Sequence, residues 1–294
     1  APPIPVRLIL PARRMKFTIL TPSFNSLPYL RRCCASVRDQ AGVEAEHLVL
    51  DGASTDGTPE WLAARGASFV SEPDGGMYAA LNKGLDRAAG DVVGHLNCDE
   101  QYLPGALAAV ARTFTDHPEV DLVFGDALLV NPAGQLLAYR KAYPLRWPYL
   151  AAGQLYALTC TLFYRRRILA AGHRFDPRFR MMGDVEFILR LLRAGYRPWH
   201  LKHYLAAFTL TGANLSTHPR VKAELQILRA TLPAWARLAR PGLEALRLAE
   251  KWWSGAYRER APLRYELYPE AAEARLLFES QNLSHRWTWK MNRP

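Results

Sequence analysis

At 294 residues, with 49% hydrophobic and 22% charged, the chain has the length for one large α/β domain plus an appendage, and its composition excludes a disordered or fibrous protein. No apolar run approaches the about 18–20 residues of a membrane span, and the four cysteines (Cys33, Cys34, Cys98, Cys160) show neither a C-x-x-C pair nor zinc-ligand spacing. The formal charge of +11 is uneven, with net −2 over residues 1–100, +7 over 101–218 and +6 over 219–294. Nucleic acid, an anionic lipid surface or a phosphorylated substrate can each use such an excess, as can plain solubility.

Residues 1–15 hold an apolar patch broken by Arg7 and prolines, without a signal-peptide layout, and read as a loose leader outside the fold. Residues 16–21 (KFTILT) predict a first strand, followed by turn chemistry at Pro22, Ser23 and Asn25. Leu27, Leu30, Cys34 and Val37 share one helical face. A second strand at 46–51 ends in Asp51, and Thr58-Pro59 opens the next helix as N-cap and first residue. Asp56 reads as part of that cap. A third strand at 67–71 leads to the loop Glu72-Pro73-Asp74-Gly75-Gly76 and a helix over 77–89.

The stretch GDVVGHLNCDE at 90–100 is central. Val92 to Leu96 reads as a buried strand, with His95 packed in the core, and it ends in the acid pair Asp99-Glu100. Such a pair suits either a divalent cation or a solvated helix cap. A helix over 103–114 and a strand from Leu122 to Gly125-Asp126 follow. Strands thus alternate with helices through short connections, which predicts a doubly wound, mostly parallel α/β sheet. Thr21, Asp51, Glu72/Asp74, Asp99 and Asp126 all fall at strand ends, where ligands sit in open α/β sheets.

Beyond 126 the rhythm changes. Residues 128–130 and 136–140 predict a hairpin, 160–164 a strand, Gly183-Asp184 the start of a helix with Val185, Ile188, Leu189 and Leu192 inward, and 199–208 a strand. Residues 219–294 read as a helical extension, and its Trp252-Trp253 and Trp287/Trp289, set among Arg and Lys, suit either a core or a membrane surface.

These residues resemble the family-2 glycosyltransferases with the GT-A fold, of the polysaccharide-assembly type. TPSFNSLPYL at 21–30 is similar to the family's first nucleotide-binding loop. LDGASTDGT at 50–58 resembles its V-D-D-G-S-T-D-G-T signature. SEPDGGMYAALNKGL at 71–85, LNCDE at 96–100, GDVEFILRLLRAG at 183–195 and TGANLS at 211–216 are similar to further family motifs. The match runs over about two-thirds of the chain.

The resemblance implies a glycosyltransferase domain over 16–218, with a nucleotide-sugar half (16–125) and an acceptor half (126–218). It implies an inverting, metal-dependent transfer from a UDP- or GDP-linked sugar to a hydroxyl of a glycan or lipid-linked acceptor. Thr21 and Asp51 would meet the donor's base, Asp74, Asn82 and Lys83 would lie along the ribose-diphosphate path, and Pro22, Ser23 and Asn97 would also bind the donor. Asp99 would hold Mg2+ or Mn2+, and Asp184 would be the general base. Glu100, Tyr78 and His218 are secondary candidates.

Two departures stand out: Glu100 replaces a commoner Asp, and Gly183 stands where an acid often precedes the base. A cytoplasmic setting at the inner face of a membrane is expected, and no nucleic-acid motif accompanies the basic half. The competing reading is a catalytically silent nucleotide-sugar-binding or scaffold protein.

Overall fold

The computed structural model describes residues 14–152, 155–212, 214, 219–270 and 273–286. The first half runs β1 (Lys16–Ser23), α1 (Leu27–Arg38), β2 (Glu44–Asp51), α2 (Thr58–Ala63), β3 (Ser68–Ser71), α3 (Met77–Arg87), β4 (Val92–His95), β5 (Glu100–Tyr102) and α4 (Ala106–Asp116). The second continues with β6 (Leu122–Val130), β7 (Leu136–Arg140), α5 (Trp147–Ala152), β8 (Leu162–Arg165), α6 (Arg166–Ala170), α7 (Gly183–Arg193) and β9 (Pro198–Thr209). Then come α8 (Arg220–Ala230), α9 (Ala234–Leu238), α10 (Arg240–Trp253), β10 (Leu263–Leu267) and β11 (Leu276–Ser280).

The main sheet has the order β3-β2-β1-β4-β8-β6-β9-β5, with β7 added on β6. Strands β1 to β4, β6 and β9 run in one direction, while β5, β7 and β8 run against it. The predicted mostly parallel α/β sheet is therefore present. The extension is not wholly helical: β10 and β11 form an antiparallel hairpin after α10. Its first strand, LRYEL, alternates apolar and polar residues with Tyr265 and Leu267 buried, a strand signal that the helical expectation passes over.

Period-two alternation builds the two layers of core. Leu20, Val93, Leu122, Phe124, Leu162 and Tyr164 face one side of the sheet, beneath α3, α5 and α7. Their chain neighbours Phe17, Ile19, Val92, Val123 and Phe163 face the other, beneath α1 and α4. Each such side chain contributes about 1.5–3 kcal/mol on burial, and truncating Phe163, wholly buried, to Ala costs about 3–5 kcal/mol.

Gly90 is required by close approach: a Cβ there would lie 2.6 Å from the Thr18 amide nitrogen. Its neighbour Asp91 closes the same edge, accepting the Lys16 N–H at 3.1 Å. His95 faces the α3 layer, 1% exposed, with both ring nitrogens lacking a partner among the described residues. Burial lowers its pKa to about 4.

A histidine held neutral in this way contributes stability above the unfolded value of about 6.5, and that stability is lost as pH falls toward about 4. Raised carboxyl groups elsewhere act in the opposite sense, so the difference between two proteins is the clean readout. Urea melts of wild type and His95→Leu at pH 7 and pH 4 should show the variant gaining about 2–3 kcal/mol relative to wild type at the acid end. Parallel losses in both proteins would contradict this.

Candidate active site

Strand β4 delivers its C-terminal residues to the edge of the sheet. The Leu96 N–H donates to Leu20 O at 3.0 Å, and the chain then turns back on itself. Within that turn the Glu100 N–H donates to Asn97 O at 3.0 Å, and Glu100 Oε2 accepts the Asn97 N–H at 2.7 Å. Glu100 belongs to β5, which pairs with β9, and it is 1% exposed. Its carboxyl group folds inward, under the turn.

Asp99, one residue earlier, stays half-exposed. Burial raises both carboxyl groups above the ordinary range, and the charge of Asp99 pushes Glu100 further. Glu100, a secondary candidate for the cation, is buried: its Oε2 takes the Asn97 N–H, and its Oε1 has no partner among the described residues. Asn214 Nδ2 donates to Asp99 Oδ2 at 3.3 Å and to Thr209 O at 3.0 Å. His218 lies outside the described residues.

The neighbouring strand end is built around Asp51. Its Oδ2 accepts the Ser54 N–H at 3.0 Å and the Ser71 hydroxyl at 2.5 Å, which ties β2 to β3. Its Oδ1 and the Ser23 hydroxyl are buried without a partner among the described residues. Pro22 and Ser23 lie opposite Leu50 and Asp51, and Ser23 O accepts the Gly52 N–H at 2.9 Å. Asp74 leans over this junction: a Cβ on Gly52 would sit 3.3 Å from Asp74 Oδ2. Asp74 Oδ1 also accepts the Gly76 N–H at 2.7 Å, closing the Pro-Asp-Gly-Gly turn.

Lys83 reaches Glu72 at 2.7 Å, and with Asp51, Asp74 and Ala80 it lines a shallow cleft. Asp56 accepts the Thr58 N–H at 3.2 Å and the Leu27 N–H at 2.8 Å, so it caps α2 and ties it to α1.

Two predicted donor contacts are placed differently. Thr21 is fully buried, and its hydroxyl pairs with His47 Nε2 at 2.8 Å inside the fold. Alternation along β1 turns its side chain away from the edge. Asn82 uses its whole amide on the chain at Phe175, donating to Phe175 O at 2.8 Å and accepting the Phe175 N–H at 2.9 Å. It fixes a wall of the site.

That wall carries Asp184. The Phe175 ring packs 5.2 Å from Tyr78 and 6.1 Å from His95 of β4. Tyr78 in turn stands beside Asp184 and favours its charged form. Asp184 is half-buried, and its Oδ1 accepts the Val185 N–H at 2.8 Å. Burial raises its pKa, while the hydrogen bonds hold it down. The glycine before it has a steric cause: a Cβ at Gly183 would lie 2.7 Å from the Tyr78 ring.

Sequence reasoning missed Glu224. This buried carboxylate on α8 accepts the N–H groups of Arg180, Met181 and Met182 at 2.8–3.0 Å, just before Asp184. No local signal marks it, because its partners lie 42–44 residues away. Asn214, inside the quoted TGANLS segment, was likewise not singled out.

Glu224→Ala leaves three donors without their acceptor and should cost about 2–4 kcal/mol in stability. Chemical melts of Glu224→Ala and Glu224→Gln check this, with the glutamine variant expected to lose less. An unchanged midpoint for the alanine variant would show that the carboxylate does not hold the loop.

A family profile described as "Glycosyl transferase family 2" matches residues 18–172. Among curated proteins, an uncharacterized glycosyltransferase of Mycobacterium tuberculosis is 29% identical over 209 residues, covering 69% of this chain and 78% of its own. The chondroitin synthase of Pasteurella multocida is 26% identical across 68% of this chain, but only 21% of the synthase is spanned.

Among solved structures, S. aureus TarS 1-349 in complex with UDP aligns with a TM-score of 0.57 at 20% identity, over 81% of this chain and 72% of that one. The mannosyltransferase PcManGT from Pyrobaculum calidifontis, in complex with GDP-Man and Mn2+, aligns at 0.54 and 20% identity, over 85% and 77%. The sheet and its flanking helices have the GT-A fold, and the chain belongs to glycosyl transferase family 2.

Proposed function

We propose that the chain moves a sugar from a UDP- or GDP-linked donor to a hydroxyl of a glycan or lipid-linked acceptor, with inversion, in cell-surface polysaccharide assembly. The observation that carries this is the division of labour between two carboxylates. Asp99 is half-buried at the end of β4 while its neighbour Glu100 is fully buried, and Phe175 packs between Tyr78, beside Asp184, and His95 of β4. The donor's base and ribose would lie over Ser23, Asp51 and Asp74, with Lys83 beside them. The UDP and GDP-Man held by the two neighbours of the same fold support this donor class.

Among the described residues, no three His, Cys, Asp or Glu side chains are grouped as a ready-made metal cage. One partly exposed carboxylate fits Mg2+ or Mn2+ that takes its remaining ligands from substrate phosphates and water. Asp99 would hold the ion, aligned by Asn214, and Asn97 would border it. When bound, such a cation neutralises the departing diphosphate. Asp184 would accept the proton of the acceptor hydroxyl as that oxygen bonds to the sugar's anomeric carbon and the bond to the diphosphate breaks. The Val185 N–H, donating to Asp184, would keep it aimed, with the Tyr78 ring packed against Gly183 beside it. The basic, tryptophan-bearing C-terminal segment supports work at the inner face of a membrane, where lipid-linked acceptors reside.

Asp184→Asn should lower kcat by about 10²–10⁴-fold with the melting curve retained; transfer at the wild-type rate would remove Asp184 from the role of base. Glu100→Gln, by contrast, should keep cation-dependent transfer. Because Asp184 works only when ionised and burial raises its pKa, kcat should fall as pH drops through that raised value. At saturating donor and Mn2+, the acid limb should lie above the ordinary carboxylate range of about 4. A flat profile down to that range would contradict the assignment.

A further inference from the structure

The helix α10 keeps its large apolar residues outward, although α8 and α9 bury Leu228 and Ala236 in the core. Every exposed residue of α10 is uncharged, and Leu246, Leu248, Trp252 and Trp253 are its large ones. Trp253 is 75% exposed, and Leu238 at the end of α9 is 82% exposed beside the exposed Trp235. Three of the helix's five charged residues turn toward the protein, while Arg240 and Glu244 pair with each other near its start. Arg247 donates to the Tyr143 hydroxyl at 2.8 Å, Glu250 accepts a forked pair of bonds from Arg146, and Lys251 sits 4.4 Å from the Tyr257 ring. An ordinary surface helix has the opposite arrangement. A contiguous apolar face of this kind marks a contact surface.

The surrounding charge selects the contact. From 219 to 260 the exposed charged residues are Arg220, Lys222, Arg237, Arg258 and Arg260, all cations, while the acids of that stretch are buried or half-buried. Arg258 lies 5.6 Å over the Trp252 ring, at the rim of the apolar face. A second copy seated face to face would bring two cationic rims together, which disfavours it. An anionic lipid surface meets both features, taking Trp and Leu into the headgroup boundary and Arg and Lys against phosphates.

We infer that the α9–α10 face docks on an anionic lipid bilayer, with Trp235, Leu238, Leu246, Leu248, Trp252 and Trp253 entering the interface. Glu224 on α8, the helix that precedes α9 in the chain, holds residues 180–182, so the docked face connects through α8 to the loop before Asp184. That places the base where a lipid-linked acceptor is presented. Only this last step rests on the proposed function; docking itself needs no sugar transfer.

Sedimentation of the full chain with vesicles, read together with tryptophan emission and with no substrate present, tests the docking. Wild type should pellet with phosphatidylcholine–phosphatidylglycerol vesicles, with blue-shifted emission, and weakly with phosphatidylcholine alone or in high salt. The double variant Leu246→Gln/Trp253→Gln should bind at least about tenfold more weakly with its melting curve unchanged. Arg237→Gln/Arg258→Gln leaves the apolar face intact and should lose the preference for the anionic vesicles. Wild type that stays in the supernatant with anionic vesicles overturns the inference. So does a vesicle-free dimer abolished by Leu246→Gln/Trp253→Gln, which would make a second copy the occupant.

Discussion

The short bond from the Asn97 N–H to the Glu100 carboxylate, 2.7 Å long, sets the geometry of the whole sheet edge. It holds one acid of an adjacent pair beneath the turn, while the other, Asp99, keeps part of its surface exposed beside Asn214. Two ionised carboxylates side by side repel, and burial disfavours the charge of the inner one, so the pair is electrostatically asymmetric. The turn holds because β4 is clamped between β1 and β8 and because β5 pairs with β9. The rest of the fold fixes the strand that ends at this turn and the walls that face it.

Those walls are built by polar groups acting as cross-links. Asp51 joins β2 to β3, Asn82 joins α3 to the chain at Phe175, and Glu224 joins α8 to the loop before Asp184. Each is a side chain satisfying backbone or hydroxyl donors across long sequence separations. Such links hold loops in place where no sheet or helix reaches. Two buried atoms nearby without a partner among the described residues, Asp51 Oδ1 and the Ser23 hydroxyl, lie at the same edge. Rigidity and unmet polar capacity therefore coincide there, as they do in pre-formed ligand sites.

Much of this was legible in the residues themselves. Alternating apolar strands with short connections define the parallel half, and acids at successive strand ends mark one edge. What remained hidden depended on distant partners. Glu100 and Asp99 are chemically similar neighbours, and only the folded turn, where Glu100 takes the Asn97 N–H, separates their fates. Thr21 sits at a strand end, yet the pleat turns it toward His47. Glu224 looks like any helix glutamate until its three amide partners are seen. The β10–β11 hairpin falls in a stretch expected to be helical, although LRYEL at 263–267 carries the alternation of a strand. The inverted face of α10 was invisible for a related reason: periodicity reveals that a helix has two faces, but packing decides which one meets the protein.

The central claim is that the edge bearing Asp99 binds a nucleotide-sugar through a divalent cation. Calorimetric titration of wild type with UDP- and GDP-linked sugars, in Mn2+ and then in excess chelator, tests it most directly. The account predicts binding of at least one donor that is lost in chelator and is lost equally in Asp99→Asn with Mn2+ present. Binding of that donor at equal affinity in chelator, or by Asp99→Asn, would contradict it.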